Sequence, residues 1–528
     1  MLGHTSSPSF AGLSGKKLSL TVSTIATMGF LLFGYDQGVM SGIISAPKFF
    51  KLLPMLDGDN TLQATVTAVY EVGCLFGAMF ALFTGDRLGR RKMVIAGAAV
   101  MIIGVVIQVT AVEDATPLAQ FIVGRVVTGV GNGMNTSTIP TYQAECIIAI
   151  GTAIAYWIDF GASFGPVDLV WRFPIAFQIV FGLVIVVGMY YMPESPRYLI
   201  SRGKVHEGEY ALAALAGKEI DDHETQLQKQ LVLESIEAAG AAEGAGYSDL
   251  LTSGRTQHFR RMLIGSSSQI AQQLSGCNAV IYYLPVLMQQ SLGMERLLSM
   301  IISGVNMIVY ALFATFSWFF IEKIGRRKLF IGGMTGQLVA MIIVFACLIP
   351  DKPEPSKGAV FGFFLYMSFF GASILPLPWL YPAEISPIRT RAKANAVSTC
   401  SNWLFNFTVV MITPVMVDRI RWGTYLFFAA WNAVFIPVMY FFYPETAGRS
   451  LEEIDIIFAK GYCENMSYVK AAKDLPKLTD EQVEEKALEY GFGGAGSGAS
   501  DEEKGHNSTS SDANELQEEV HQDIVANE

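Results

Sequence analysis

GDRLGRRK, residues 85–92, returns as IEKIGRRK at residues 321–328. The two runs set Gly89 against Gly325, an offset of 325 − 89 = 236 residues. Two more pairs follow at similar spacing. QAE at 143–145 answers PAE at 382–384, an offset of 384 − 145 = 239. PESPR at 193–197 answers PETAGR at 444–449, an offset of 444 − 193 = 251. A chain that repeats itself at about half its length is built from two similar halves.

The residues between the motifs decide what the halves are made of. Of 528 residues, 51% are apolar and 16% charged, and the mean hydropathy is +0.38. Soluble chains carry about 25% charged residues. Runs of roughly 20 apolar residues with few charges read as membrane-spanning helices. Eleven are clear: Leu20–Ile44, Leu62–Gly85, Met93–Val112, Leu118–Thr141, Phe173–Met192, Met262–Met288, Leu298–Ile321, Leu329–Pro350, Gly358–Leu380, Ala394–Val417 and Thr424–Tyr443. A twelfth is expected after Glu145. The fold class is therefore an all-α membrane protein of two six-helix halves. In repeat-built membrane carriers of this kind the site lies between the halves near mid-membrane.

Lys and Arg give the orientation and the divisions. Arg87, Arg90, Arg91 and Lys92 follow the second span, Arg326, Arg327 and Lys328 the eighth, and Arg389, Arg391 and Lys393 the tenth. Those loops are expected on the cytoplasmic side, and with twelve spans both termini lie there too. The expected order is a cytoplasmic segment 1–19, a first transmembrane half 20–192, a polar linker 193–261 with short helices, a second half 262–443, and a largely disordered acidic tail 444–528. No cleavable signal is expected before the first span, because residues 1–19 are polar and lack an apolar core with a cleavage site. The net charge of −10 comes partly from that tail and says little about nucleic acid, and no nucleic-acid partner is expected. Six cysteines, mostly inside spans, suggest neither a disulfide framework nor a metal site. With no nucleotide loop or nucleophile elbow, enzymatic activity and a cofactor are not expected.

The repeat also exposes a gap. Between Glu145 and Pro193 the first half runs short of the second by 251 − 239 = 12 residues. Glu384 is followed by ISPIRTRAKANA and then a full span, but Glu145 is followed almost at once by the 12-residue apolar run Ile147–Ile158. A helix of that length covers about 18 Å, against a hydrocarbon core of about 30 Å. Lengthening it through Asp159 to Gly165 would draw an unpaired carboxylate inward. The expectation is a truncated fifth span that has lost a basic loop and its inner start.

At this point the sequence resembles a sugar porter of the major facilitator superfamily. The likeness covers about residues 15 to 460 and is carried by GYDQG (34–38), GDRLGRRK (85–92), GRVVTGVGNG (124–133), PESPRYL (193–199), QQLSGCNAVIYY (272–283), EKIGRRK (322–328), PWLYPAEI (378–385) and PETAGRSLEEID (444–455). FFYPETAGRSLEEIDIIFAKGY and LPKLTDEQVEEKA carry a closer likeness to the fungal sugar-transporter-like group, whose yeast members include a glycerol/proton symporter. Those relatives have about 15 residues after the QAE-like motif that this chain lacks.

Residue chemistry and resemblance together name a site. Asp36 in the first span is an intramembrane carboxylate, which implies a partner or a task, and Arg125 in the fourth span is its natural partner. The resemblance implies proton coupling through this pair, and a static tie between two helices is the alternative. Gln272, Gln273 and Asn278 on the seventh span offer donors and acceptors for a hydroxyl-rich ligand, provided a break at Ser275-Gly276 aims them together. Tyr283, Trp379, Asn402 and Asn406 match sugar-contacting positions of the family, and Asn402 and Asn406, four apart, share a helix face. Hydrogen bonding between helices is the alternative for these amides. The family's glutamine early in the fifth span has no counterpart between Gln143 and Gln178.

The resemblance further implies a cytoplasmic gate of Asp86, Arg90, Arg91 and Glu145 in the first half and Glu322, Arg326, Arg327, Glu384, Arg389 and Arg391 in the second. Nothing after Glu145 corresponds to Arg389 or Arg391. The expected function is import of a monosaccharide or glycerol across the plasma membrane, with a proton as co-substrate, the lipid bilayer as surroundings and no oligomer required. A uniporter, a non-transporting sugar sensor and an inactive truncated product are the alternatives.

Overall fold

The computed structural model of the protein describes residues 8–112, 116–138, 145–240, 247–350, 353–387 and 389–491. The first half holds α1 (Gly15–Ile44), α2 (Asn60–Leu88), α3 (Arg90–Val109), α4 (Pro117–Thr138), α5 (Glu145–Ala162) and α6 (Val167–Tyr191). Three short helices follow: α7 (Pro196–Ser201), α8 (Val205–Ala216) and α9 (His223–Gly240). The second half holds α10 (His258–Leu274), α11 (Cys277–Leu292), α12 (Arg296–Ile324), α13 (Arg326–Leu348), α14 (Pro353–Phe369), α15 (Leu377–Ile385), α16 (Arg391–Ile420) and α17 (Gly423–Phe442). Among the described residues nine helices are long and apolar enough to cross a membrane. The stretch expected as one span over Met262–Met288 is two helices, α10 and α11.

The repeated motifs have one structural cause. Gly89 and Gly325 link a long helix to the next at φ 86°, ψ 157° and φ 93°, ψ 156°, where a side chain is strained. Each glycine also lies against a glutamate from the third motif: a Cβ on Gly89 would sit 2.7 Å from Glu194 Oε2, and one on Gly325 2.4 Å from Glu445 Oε2. Those glutamates cap the helices that begin there. The Arg91 amide donates to Glu194 Oε1 at 3.0 Å, and the Arg326 and Arg327 amides donate to Glu445 at 2.7 and 3.2 Å. A carboxylate on the unpaired amides of a helix start is favourable. The basic run and the PES/PET motif therefore repeat as a unit.

Close packing of α1 on α5 follows from small residues. A Cβ on Gly34 would lie 1.9 Å from the Ile148 carbonyl, and one on Gly151 2.1 Å from the Leu31 carbonyl. Thr152 Oγ1 donates to the Gly34 carbonyl at 2.9 Å. The helices run parallel in a fixed register: Asp159 meets Gly42 (159 − 42 = 117) and Ala155 meets Gly38 (155 − 38 = 117).

That register measures the short span. Glu145 is level with residue 145 − 117 = 28 of α1, so 28 − 15 = 13 residues of α1 precede it, about 20 Å of helix. On the other side, Cys146 Sγ meets the Ala314 carbonyl at 3.1 Å, and α12 runs on for 324 − 314 = 10 residues, about 15 Å. α5 thus begins deep in the bundle, well short of the end carrying the basic turns. Its helix outruns the apolar run, because Asp159 is drawn in after all. Asp159 is buried and accepts from the Gly42 amide at 3.2 Å. Residues 139–144, which join α4 to α5, lie outside the described residues.

The segment after Tyr443 differs from the expectation of a largely disordered tail. It contains α18 (Leu451–Cys463), α19 (Tyr468–Asp474) and α20 (Asp480–Glu489). Ser450 and Glu453 form a reciprocal capping box at the start of α18. Ile456, Ile457, Ala471, Ala472, Leu475 and Tyr490 make a small core of their own. Arg261, fully buried on α10, anchors this unit by donating to Asp455 at 2.5 Å and to the Ile385 carbonyl at 2.5 Å. Residues 492–528 lie outside the described residues.

Two outcomes are expected. Inserting about 15 polar and apolar residues after Cys146 should raise surface abundance and uptake, because a full span needs about 20 residues. Equal abundance and uptake with and without the insertion would mean that the short helix suffices. Gly34→Leu should lower the melting temperature of detergent-solubilised protein, since overpacking at a helix contact costs about 1–3 kcal/mol.

Candidate functional site

The centre of the first half is an ion pair. Arg125 of α4 donates through Nη1 to both carboxylate oxygens of Asp36 on α1, at 3.0 Å each. Its Nη2 donates to the Thr67 carbonyl of α2 at 3.2 Å, and the guanidinium lies 4.6 Å from the centre of the Tyr70 ring. Both side chains are buried, at 0% and 1% exposure. Two expected residues are thus brought together, and α2 supplies two further contacts that the sequence did not suggest.

The seventh-span amides are aimed by the expected break. Gly276 adopts φ 98°, and a Cβ there would lie 2.7 Å from the Phe428 ring. The interruption frees the Ser275 carbonyl from the helix. Tyr366 Oη and Asn432 Nδ2 each donate to it at 3.1 Å. Broken helices persist in membranes only when neighbours satisfy the freed backbone in this way.

Around the break the amides form two linked groups. In one, Gln272 Nε2 donates to the Ile374 and Leu375 carbonyls at 2.8 and 3.0 Å, and Asn402 Nδ2 donates to Gln272 Oε1 at 3.0 Å. Asn402 Nδ2 also donates to Gln269 Oε1. In the other, Asn278 Nδ2 donates to Gln273 Oε1 at 2.6 Å and to Asn406 Oδ1 at 2.7 Å. Gln37 of α1 reaches this group from the other half, 3.5 Å from Asn278 Oδ1. Tyr283 Oη donates to the Val410 carbonyl at 3.0 Å, and Trp379 is half-buried on α15. Gln269 was legible, three residues before Gln272 on the same face. Gln37 adjoins Asp36 but carries no distinguishing motif. Such a set of amides can bind hydroxyl groups as donors and acceptors at once.

At the basic end the second-half cluster closes on Arg326. Its Nη2 donates to Glu384 and Glu322 at 2.7 Å each, and Thr446 Oγ1 donates to Glu384 Oε2 at 2.6 Å. Arg327 points elsewhere, donating to the Tyr440 carbonyl at 2.6 Å and lying over its ring. Arg389 pairs with Asp249 at 3.0 Å, and Arg391 Nε donates to the Ser386 carbonyl at 3.2 Å. In the first half the Arg91 amide meets Glu194, and Arg90 is exposed. The side chains of Asp86 and Glu145 lie outside what the structure describes. Several contacts link the halves away from the basic end. Tyr156 of α5 donates to the Ile281 carbonyl at 2.6 Å, Arg296 of α12 to the Ser45 carbonyl at 2.9 Å, and Tyr282 of α11 to Glu71 of α2 at 2.5 Å.

Known proteins resemble the chain in sequence and in fold. Residues 22–458 match the family described as sugar (and other) transporter. The chain is 46% identical over 502 residues to Sugar transporter STL1 of Saccharomyces cerevisiae, covering 91% of this chain and 88% of that one. It is 43% identical over 508 residues to the major facilitator superfamily transporter mfsA of Aspergillus fumigatus, covering 91% and 94%. The fold is similar to that of the proton:xylose symporter XylE bound to 6-bromo-6-deoxy-D-glucose. The TM-score is 0.71 at 22% identity, over 84% of this chain and 100% of that one.

Removing one member of the buried pair leaves the other uncompensated, at a cost of about 3–5 kcal/mol. Asp36→Asn and Arg125→Met should therefore each lower the folded fraction, measured by fluorescence-detected size exclusion. The double variant should recover part of that loss.

Proposed function

The chain belongs to the sugar transporter family, as a multi-pass membrane protein of the major facilitator fold, and from that premise we propose that it imports a monosaccharide or glycerol by alternating access with a proton. The ion pair of Asp36 and Arg125 carries this reading. It is buried within the first half, and Gln37, the residue after Asp36, reaches the amide cluster of the second half. A proton arriving on the carboxylate would release the guanidinium, which also holds the α2 backbone at Thr67. Protonation could in this way be felt by three helices at once. The relative named as a sugar transporter and the neighbour described as a proton:xylose symporter support both substrate class and coupling.

The amides Gln272, Gln273, Asn278, Asn402 and Asn406, with Tyr283 and Trp379, are the proposed binding residues. Asp86, Arg90, Arg91, Glu145, Glu322, Arg326, Arg327, Glu384, Arg389 and Arg391 are the proposed gate at the basic end. We place that end in the cytoplasm with both termini and the linker 193–261, and the protein in the plasma membrane, on the positive-inside rule. The short α5 favours a second reading, a chain that folds and binds substrate but does not complete the transport cycle.

Uptake of labelled substrate should collapse with a protonophore and should lose its dependence on external pH in Asp36→Asn. Uptake insensitive to both would leave a facilitator. Asn278→Ala should raise KM about tenfold, as expected for loss of one or two hydrogen bonds to a ligand at 0.5–1.5 kcal/mol each.

A further inference from the structure

Held by one half alone, a substrate cannot draw the halves together. The amides around the break all come from the second half. The first half reaches them through few polar groups, because the hydroxyls of α5 are engaged elsewhere. Thr152 bonds to the Gly34 and Ile148 carbonyls, and Tyr156 to Ser41 and the Ile281 carbonyl. Gln37 is one group that does reach. Glu71 on α2 is another, a fully buried carboxylate.

Glu71 is half satisfied. Its Oε1 accepts from Tyr282 Oη at 2.5 Å, across the seam between the halves, and its Oε2 has no hydrogen-bond partner. Asn406 is a hydrogen-bonding neighbour of this carboxylate; its Oδ1 accepts from Asn278, while its Nδ2 makes no hydrogen bond of normal length and angle. Two buried polar atoms, one acceptor and one donor, thus adjoin at the edge of the amide cluster. Buried polar atoms are rarely left unpaired, since leaving them so is costly. An alcohol hydroxyl answers both: its hydrogen is given to Glu71 Oε2 and its lone pair receives Asn406 Nδ2–H.

We propose that Glu71 is the substrate-binding carboxylate of the first half, holding one hydroxyl of a polyol jointly with Asn406. This rests on the transport reading above and adds to it a specificity. The bound hydroxyl gives its hydrogen to Oε2, the carboxylate oxygen that Tyr282 leaves unpaired. Tyr282 holds the other oxygen in place and joins the ligand to both halves through one side chain.

The test uses the full chain in cells without background uptake, with labelled glycerol, D-xylose and D-glucose as probes. For whichever probe the protein carries, Glu71→Gln should raise KM about ten- to a hundredfold at equal surface abundance. A series of mono-deoxy analogues as competitors should show one position whose loss costs the unaltered protein most. At that position Glu71→Gln and Asn406→Ala should both lose the discrimination. If Glu71→Gln does not reach the surface, Glu71→Asp serves, with a raised KM expected from the shorter reach.

Unchanged KM and unchanged deoxy discrimination in the Glu71 variants would overturn the assignment while leaving transport intact. If the unaltered protein carries none of the probes, the transport reading fails by itself. Thermal stabilisation of the purified protein by the same probes then decides Glu71, by the same comparison of variants. Absence of stabilisation by any of them would overturn the polyol site.

Discussion

A guanidinium and a carboxylate taken out of water must find each other, and here Arg125 and Asp36 do so at 3.0 Å with neither exposed. The consequence reaches well beyond two residues. The contact fixes α4 to α1, and the Nη2 donor of Arg125 and the Tyr70 ring bring in α2. Gly34 and Gly38 flank Asp36 along α1 and admit α5 to near backbone contact. A cation, a carboxylate, one carbonyl and two missing side chains thus set the mutual positions of four helices.

The second half meets the same demand by a different route. It breaks a helix at Ser275-Gly276, which would leave backbone groups unsatisfied in an apolar medium. Tyr366 and Asn432 repair the break. What is gained is direction: α10 and α11 each present amides toward the seam, where one continuous helix would have spread them around its surface. The halves are therefore alike at the basic end, where Gly89 with Glu194 mirrors Gly325 with Glu445. They differ at the centre, where one holds an ion pair and the other an amide cluster.

Much of this was legible. Gly89 and Gly325 marked the repeat, since only glycine suits both the positive φ and the glutamate packed on it. Asp36 and Arg125 stood out as charges inside apolar runs, and the deficit after Glu145 was countable from motif offsets alone. Gln269 could have been read from its place one turn before Gln272. Glu71 could not. It sits in VYEVGC, a span otherwise ordinary, and the sequence does not record that Tyr282 and Asn406, more than 200 residues away, would stand beside it. The choice of Arg326 over Arg327 for Glu384 was equally hidden, because adjacent residues on a helix differ by about 100° in direction and only the neighbour's position selects one.

The sequence by itself determined the class, the two-half plan and the shortfall in the fifth span. Each of these follows from lengths, spacings and the cost of a charge among apolar residues. Tertiary structure alone decided how the deficit is absorbed. α5 could have been a 12-residue helix floating between longer ones. Instead the register with α1 starts it level with residue 28 and draws Asp159 inward, where the Gly42 amide receives it. It likewise decided which polar groups remain unpaired at the seam, because satisfaction of a buried atom depends on what stands within about 3 Å of it.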